Sequence, residues 1–410
     1  MDFTKITLRG WQQFESIDID FHHQLTVLTG ANGSGKTTIL QQLAKHFGWD
    51  VPSLSTPFLD KIGSLWKWVS GTIIKDANSA HIKIGEINYS NGNVAQLNVP
   101  PQNSAQYNIQ INNIQSVKCF YIPSHRSVFR YQQLDNIPTR NTIDKNLAFQ
   151  KVSGSTRNRY LGGHDQSSSF FMKETLISWS IFGRGNVDLQ PDQKLLDYYQ
   201  GFENTLKDIL PKELGFQKFT IQNFEVVLEC KAGNFIIDAA SGGISAIIDM
   251  AWQIYMFSPE KGENFTVIID EIENHLHPTM QRRILPDFIK AFPNVRFIVS
   301  THSPLIVGSV KDSSVYVLKN NEQNRIISQK LDLINKAKTA SEILDEVLGV
   351  SFTMPVWVEE ELRKSIDKYT QSEITEASFA ALRGDLAKVG LERLMPEAIS
   401  RIIEKKDDQD

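Results

Sequence analysis

Hydrophobic and polar residues alternate over residues 3–21, with the two-residue period of a strand that has one buried face. A mostly apolar stretch follows at 25–28 and is typical of a strand buried on both faces. After Thr37, apolar residues recur at helical spacing as far as Phe47, and Gly48 then ends the predicted helix. The chain therefore begins with β structure that leads through a short loop into a helix.

The alternating pattern returns between residues 72 and 122, where the sequence Ser-Asn-Gly-Asn at 90–93 separates two β runs and predicts a hairpin turn. We expect 1–28 and 72–122 to form an antiparallel β subdomain. A helix is predicted over 195–210 and a hairpin over 218–238. Further helices are predicted at 341–348, 355–369, 376–389 and 396–403.

The loop after the first buried strand has the order that a phosphate-binding loop requires: glycine, four residues, then Gly-Lys-Thr. Glycines let successive backbone N–H groups point at an anion, and the helix that opens near Gly35 adds its positive dipole end. We expect Lys36 to face solvent and to reach the outer phosphates of ATP, and the Thr37 hydroxyl to bind Mg²⁺. The predicted nucleotide-binding residues are Gly30, Asn32, Gly33, Ser34, Gly35, Lys36, Thr37 and Thr38.

A second continuous apolar strand, predicted over 265–269, ends in the carboxylates Asp270 and Glu271. Asp270 is expected to hold the Mg²⁺, and Glu271 to orient and deprotonate the attacking water. A helix and another strand follow, so this is a βαβ unit whose two strand ends lie side by side. His302 comes just after the second strand, where it could hydrogen-bond a γ-phosphate.

Ser241, Gly242 and Gly243 open a strongly apolar predicted helix and form a second candidate anion-binding nest. The two nests cannot obviously serve the same phosphate. If the second nest faces outward, it can close only on a nucleotide held by another copy of the chain. The arrangement predicts a homodimer or higher homo-oligomer that assembles through ATP.

The composition is that of an ordinary globular protein, with 41% hydrophobic and 22% charged residues among 410. The two cysteines, Cys119 and Cys230, lie far apart and are expected to be free and buried. The N-terminus lacks an apolar signal core, and no window of about 18 uninterrupted apolar residues occurs. We therefore expect a cytoplasmic protein without a membrane partner.

The net charge of −4 leaves only a local basic patch as a nucleic-acid surface. Residues 120–185 contain nine Lys or Arg against four acids, with aromatic residues between them. That composition suits a solvated loop region, and it also suits nucleic-acid binding through 126–184, so both interpretations stay open. The arginines expected to matter for nucleic acid are Arg126, Arg130, Arg157 and Arg159.

Taken in this order, the motifs resemble those of ABC-type ATPase heads. The loop at 30–37 corresponds to Walker A, 241–243 to the signature, 268–271 to Walker B and His302 to the switch histidine. The runs 270–278 and 300–304 look most like the prokaryotic OLD, RecF and SMC-like branch, which includes the ATPase of Septu-type anti-phage defence systems. The signature departs from the usual pattern at Ala240 and Ile244, and Gln132 and Gln133 are the candidates for the usual glutamine.

The resemblance implies an α/β fold: a P-loop ABC-type head with a mixed sheet, an antiparallel β subdomain, a helical insertion and a helical C-terminal region. The head would cover 1–335, with the insertion at about 123–217, and the helical region would cover 336–410. No Asp-x-Asp pair, which the nuclease domain of OLD proteins needs for metal ions, occurs in 336–404.

The implied function is an ATPase that dimerises around ATP and Mg²⁺ and controls a separate effector, a nuclease or toxin, in anti-phage defence. The alternative is a RecF-like DNA-binding ATPase of DNA repair. A P-loop GTPase or kinase is disfavoured, because the chain lacks the Asn-Lys-x-Asp motif that reads a guanine base.

Overall fold

The computed structural model describes residues 1–59, 66–69, 82–100, 104–126, 128–137, 144–260, 262–332, 342–343, 356–370, 375–396, 398–400 and 402. The chain divides into two compact units, Met1–Ala340 and Ser341–Asp410. No helix among these residues has both the length and the apolar character needed to cross a bilayer.

The strands of the larger unit are β1 (Phe3–Trp11), β2 (Phe14–Asp20), β3 (Leu25–Gly30), β4 (Ser53–Leu54), β5 (Thr56–Leu59), β6 (Trp66–Val69), β7 (Ile82–Tyr89), β8 (Val94–Val99), β9 (Gln106–Tyr107), β10 (Gln110–Asn112), β11 (Cys119–Ile122), β12 (Phe216–Gln222), β13 (Glu225–Cys230), β14 (Phe235–Ile236), β15 (Phe265–Ile269), β16 (Val295–Thr301), β17 (Ser314–Asn320) and β18 (Ile326–Lys330). The largest sheet has eleven strands in the order β10-β8-β7-β1-β2-β18-β17-β3-β16-β15-β11. Three small sheets, β12-β13-β14, β4-β9 and β5-β6, complete the described β structure.

Strand β3 lies inside this sheet, with parallel neighbours β16 and β17. All six of its residues are buried, as its mostly apolar sequence predicts for a strand covered on both faces. Strands β1, β2, β7, β8 and β10 pair antiparallel, and the predicted turn at 90–93 joins β7 to β8. The expected α/β fold class with its antiparallel part is confirmed. The two parts form one continuous sheet, because β18 pairs with β2.

The helices of the larger unit are α1 (Lys36–Ala44), α2 (Lys145–Tyr160), α3 (Ser168–Arg184), α4 (Gln193–Ile209), α5 (Gly242–Phe257), α6 (Pro278–Ala291) and α7 (Pro304–Val307). Helices α2 to α4 form the insertion, where α3 packs on α4, and α2 packs on α5. The predicted helix at 195–210 is α4. The predicted single hairpin at 218–238 is wrong in detail, because Asn223 and Phe224 turn with positive φ and split it into three strands.

The smaller unit contains α8 (Val356–Thr370) and α9 (Glu376–Lys388), close to two of the predicted C-terminal helices. The predicted helices at 341–348 and 396–403 lie partly outside the described residues. Leu362 and Ile366 of α8 and Leu382 and Leu386 of α9 are buried in one hydrophobic core. The spacing of four residues in each pair places the apolar side chains on one face of each helix.

Candidate functional site

The loop between β3 and α1 depends on glycine at two positions for space as well as conformation. Gly30 and Gly35 have φ of 144° and 87°. A Cβ on Gly30 would lie 2.3 Å from the carbonyl oxygen of Leu318, and a Cβ on Gly35 would lie 2.3 Å from Cζ of Phe14. Gly33 also has a positive φ, of 78°, but its Cβ would meet open space. The exposed loop tip at 31–33 therefore leaves room for a ligand above it.

Lys36, the first residue of α1, is buried rather than solvent-facing, which corrects the expectation from the sequence. Its Nζ donates hydrogen bonds of 2.9 Å to the carbonyl oxygen of Gly30 and 3.1 Å to that of Ala31. Burial lowers the pKa of Lys36 to about 8, although the negative charges of Asp270 and Glu271 oppose this shift. These hydrogen bonds stabilise the curved conformation of the loop, and the ammonium group places a positive charge beside it.

Asp270 follows β15 and is 1% exposed. Its Oδ2 accepts a hydrogen bond of 2.8 Å from the Thr37 hydroxyl, and its Oδ1 accepts one from the Ser300 hydroxyl. Burial raises the pKa of Asp270, while these two hydrogen bonds act in the opposite direction. The structure thus brings the two predicted metal ligands together. A hydroxyl and a carboxylate are oxygen donors that suit Mg²⁺, so the residues fit this ion.

Glu271 is the next residue and takes a left-handed backbone conformation, with φ of 46°. Its N–H donates 2.8 Å to the Ser300 hydroxyl. Its Oε2 accepts a hydrogen bond of 2.8 Å from the side-chain amide of Asn274, and its Oε1 lies 3.8 Å from Nε2 of His302. The carboxylate is therefore oriented by neighbours on both sides while its side chain stays 31% exposed.

His302 comes directly after β16, whose parallel pairing with β15 places the two strand ends together. Its backbone N–H donates to the carboxylate of Glu273. Burial and the charge of Lys36 lower the pKa of His302, so its ring is neutral near pH 7. The predicted histidine and the predicted carboxylates thus lie in one site with Lys36 and Thr37.

The predicted nest at 241–243 lies at the start of α5. Ser241 and Gly242 are exposed, and the Ser241 side chain makes no capping hydrogen bond. A Cβ on Gly243 would lie 3.0 Å from the carbonyl oxygen of His275, so glycine permits close packing on the turn after β15. Across the described ranges, no hydrogen bond or ion pair joins this nest to the loop at 30–37. The nest is open to solvent.

Arg126 has a different place from the one that its sequence context predicted. The arginine is only 8% exposed, so most of its side chain faces the interior rather than an open surface. Its Nη2 donates hydrogen bonds of 3.1 Å and 2.8 Å to the carbonyl oxygens of Asp270 and Glu271, and its Nη1 donates one of 3.2 Å to that of Asn274. One feature of the sequence could have indicated this place: Arg126 comes just after the buried strand β11, which pairs with β15. Asn274 and Ser300 are further site residues that the motifs did not single out.

The basic segment 126–184 is only partly a surface. Lys173 is fully buried and forms ion pairs with Glu225 and Asp238, and Phe129 is buried too. Gln132 accepts hydrogen bonds of 3.1 Å from the N–H and hydroxyl of Ser167, and so is engaged with the start of α3. The excess of basic residues in this segment therefore includes side chains that are buried in the protein, Lys173 and Arg126 among them.

Comparison with known proteins matches residues 25–308 to the family described as "AAA domain, putative AbiEii toxin, Type IV TA system". The retron Ec83 probable ATPase of Escherichia coli is 28% identical over 187 residues, which cover 45% of this chain and 33% of that protein. The Septu protein PtuA of Bacillus thuringiensis is 22% identical over 402 residues, or 92% of each chain. Thus this chain spans about a third of the first relative and nearly all of the second.

Among solved structures, the Smc head bound to the C-winged helix domain of ScpA matches 81% of this chain and 98% of its own. The sequence identity is 15% and the TM-score is 0.44.

Proposed function

Because the chain belongs to the AAA domain family of putative AbiEii toxins and type IV TA systems, we propose that it is an ATPase that closes as a homodimer around ATP and controls a separate effector in anti-phage defence. The reaction is hydrolysis of ATP to ADP and phosphate. The observation that supports this proposal most directly is the 2.8 Å hydrogen bond from the Thr37 hydroxyl to the Asp270 carboxylate. It joins the phosphate loop to the strand-end carboxylates, as phosphoryl transfer requires.

In the proposed mechanism, different groups of the chain bind the phosphates, bind Mg²⁺ and activate the water. Backbone N–H groups of the loop at 30–37 and the Lys36 ammonium bind the phosphates. Mg²⁺, held by Thr37 and Asp270, would neutralise charge that develops on the phosphate oxygens. Glu271 takes the proton of the attacking water as general base. The amide of Asn274 holds the Glu271 carboxylate, and neutral His302 donates a hydrogen bond toward the transferred group.

Dimerisation is inferred from the nest at 241–243. Ser241 and Gly242 are exposed at an uncapped start of a sixteen-residue helix. Free N–H groups there favour an anion. In a dimer this anion would be the γ-phosphate of ATP bound to the other copy, so assembly would depend on intact ATP.

Control of an effector is inferred from the relatives. One similar protein is a retron probable ATPase and another is a Septu protein. Residues 336–404 contain no Asp-x-Asp pair, so this region lacks the metal-binding pair of an OLD-type nuclease, and we assign the nuclease or toxin activity to a separate effector. The alternative is a RecF-like ATPase that acts on DNA through 126–184, and Lys173 of that segment is fully buried, so this cation cannot contribute to a DNA-binding surface.

The test uses Glu271→Gln, which keeps the shape of the side chain but cannot accept the proton. We expect the variant to bind ATP with wild-type affinity and to hydrolyse it at least about 100-fold more slowly. Light scattering should then show a dimer or larger assembly with ATP, and smaller species with ADP or without nucleotide. Adding Ser241→Arg should prevent ATP-dependent assembly, whereas Ser309→Arg, far from the nest in sequence, should not.

Identical mass in every condition, together with near-normal hydrolysis by Glu271→Gln, would overturn the proposed mechanism. If Glu271→Gln loses hydrolysis while its mass is the same in every condition, the proposed catalytic role of Glu271 stands, and the proposal of ATP-driven assembly is contradicted. Effector control is tested separately, by mixing the chain with the product of a neighbouring nuclease or toxin gene and measuring co-purification with and without ATP.

A further inference from the structure

A polar cavity of about 690 Å³ lies in the insertion, between the segment that follows β11 and the turn from α2 to α3. Its volume is within the range of small-molecule sites. The loop at 30–37, which would hold the ATP phosphates, does not line it. Its charged and titratable lining residues are His125, Arg126, Arg130, Arg159, His164 and Asp165.

Cationic groups dominate this cavity. Its lining has three guanidinium groups, which stay protonated in proteins, and one carboxylate, Asp165. Asp249 on α5 also interacts electrostatically with Arg126 and Arg159. Glu273, Asp270 and Glu271 also interact with Arg126, so the positive excess is that of the lining itself, where three guanidinium groups exceed one carboxylate by two. A positive excess in a cavity favours an anion, and guanidinium groups match the geometry of phosphate oxygens.

Hydroxyl and aromatic groups line the same space. Ser124, Thr156 and Ser167 contribute hydroxyls that can donate to phosphate oxygens. Tyr160 contributes an aromatic ring, which packs edge-on against Trp49 with ring centres 5.3 Å apart. A supported ring beside arginines is suited to a base next to its phosphate.

We propose that this cavity binds a nucleotide phosphate together with its base, as a second ligand site separate from the ATP site. The source of the phosphate is a free nucleotide or the 5′ end of a single strand, and the same groups would recognise both. This inference does not depend on dimerisation or on the effector.

Two contacts join the cavity to the ATP site. Arg126, which lines the cavity, also donates hydrogen bonds to the carbonyl oxygens of Asp270 and Glu271. The hydroxyl of Tyr160 accepts a hydrogen bond of 3.1 Å from Gln41 on α1, the helix that begins at Lys36. A phosphate that accepts hydrogen bonds from the Arg126 guanidinium would weaken the hydrogen bonds that Arg126 donates to the carbonyl oxygens of Asp270 and Glu271. The bound nucleotide would thereby alter the rate of ATP hydrolysis.

The experiment measures binding directly, with the full chain and without ATP. The probe is a 3′-fluorescein-labelled thymidine tetranucleotide with a 5′-phosphate, followed by fluorescence anisotropy. Competitors are thymidine 5′-monophosphate, the unlabelled tetranucleotide with a 5′-phosphate, the same tetranucleotide with a 5′-hydroxyl, and inorganic phosphate. Arg130 is exposed, so Arg130→Glu should fold normally. The matched control is Arg157→Glu, which makes the same charge change at an exposed site on α2 that does not line the cavity.

We expect Arg130→Glu to weaken binding of the probe at least about tenfold, Arg130→Gln to have an intermediate effect, and Arg157→Glu to change it less than about twofold. Lys36→Ala should bind the probe like wild type, because the site is separate from the ATP site. Full competition by thymidine 5′-monophosphate would identify a free nucleotide as sufficient. Competition only by 5′-phosphorylated strands would identify a strand end.

Three results would overturn the proposal. One is the absence of saturable binding of the probe. Another is equal weakening by Arg130→Glu and Arg157→Glu, which would indicate attraction to net charge alone. The third is loss of binding in Lys36→Ala, which would place the probe in the ATP site. None of these results bears on the hydrolysis test with Glu271→Gln, so the two proposals fail independently.

Discussion

The side-chain amide of Asn274 donates a hydrogen bond of 2.8 Å to Oε2 of Glu271, and a second one of 3.1 Å to the carbonyl oxygen of Ser124. Asn274 therefore fixes the direction of the Glu271 carboxylate relative to the segment after β11. A general base acts well only when it is held in hydrogen-bonding reach of the water.

Asn274→Ala should lower kcat for ATP hydrolysis by about tenfold or more, because Glu271 would lose its orientation. The Kd for ATP should stay nearly constant, since Asn274 makes no contact with the phosphate loop. Asn204→Ala, at an exposed site on α4, is the control and should leave kcat unchanged. A rise in Kd with constant kcat would contradict the positioning role.

Glycine substitutions in the phosphate loop should differ according to the space around each residue. Gly33→Ala places a side chain at positive φ in open space and should cost about 1 kcal/mol of stability. Gly30→Ala also forces Cβ against the backbone of Leu318 and should cost at least about 2 kcal/mol. Urea denaturation of the two variants measures the difference. Equal losses would show that the loop moves away from β17 at little cost.

Removing the Arg126 side chain should weaken the fold as well as the site. Arg126→Met removes the guanidinium donor from the carbonyl oxygens of Asp270, Glu271 and Asn274, although that of Glu271 keeps the N–H of Asn274. It also removes one of the two cations that interact with buried Asp249, and Arg159 is the other. We expect a loss of about 2–4 kcal/mol, because a buried acceptor without a partner costs about 1–3 kcal/mol. Arg157→Met, at an exposed position, should change stability by less than about 0.5 kcal/mol. Thermal unfolding measures both, and a small loss for Arg126→Met would show that water replaces the guanidinium.

Stability should depend on pH through His46, which lies 2.7 Å from the Tyr89 hydroxyl and 3.0 Å from the carbonyl oxygen of Leu43. Burial lowers the pKa of His46 from 6.5 to about 4. The unfolded chain thus binds this proton more readily, so stability is fully present above about pH 6.5 and falls as the pH drops toward about 4. The contribution is at most about 3 kcal/mol.

Urea denaturation between about pH 7.5 and about pH 4.5 measures this slope. The comparison is with His46→Gln, which should lose that part of the pH dependence, and with His125→Gln at an exposed site, which should keep it. The same slope in wild type and His46→Gln would assign the pH dependence to other groups.

The meeting of the loop at 30–37 with the carboxylates after β15 could be predicted, because each is encoded in a few consecutive residues. The glycines, Lys36 and Thr37 are identified by their spacing in the sequence. Asp270 is identified by the buried strand that precedes it. The place of Arg126 could not be predicted in this way. An arginine in a polar segment has the same local pattern whether it faces solvent or a backbone carbonyl, and only the pairing of β11 with β15 decides.

The burial of Lys36 was missed for a related reason. Its hydrogen bonds to Gly30 and Ala31 arise from the curvature of the loop, which the spacing of residues permits but does not specify. The sheet could likewise be predicted in two parts, antiparallel and parallel. The two parts are joined through β17 and β18, which requires pairing of residues that are distant in the sequence, such as Ser16 with Ile327, and no local pattern encodes it.

That union determines when the protein can fold during synthesis. Strands β2 and β3 follow each other in the sequence, yet β18 and β17 lie between them in the sheet. Both N-terminal strands therefore leave the ribosome with open edges that stay unpaired until residues 314–330 have been made. Such edges invite pairing with other chains, and long-range closure is slow. The loop at 30–37, although it is made among the first forty residues, becomes complete only when β17 is inserted beside it, because β17 pairs with β3 as far as Gly30.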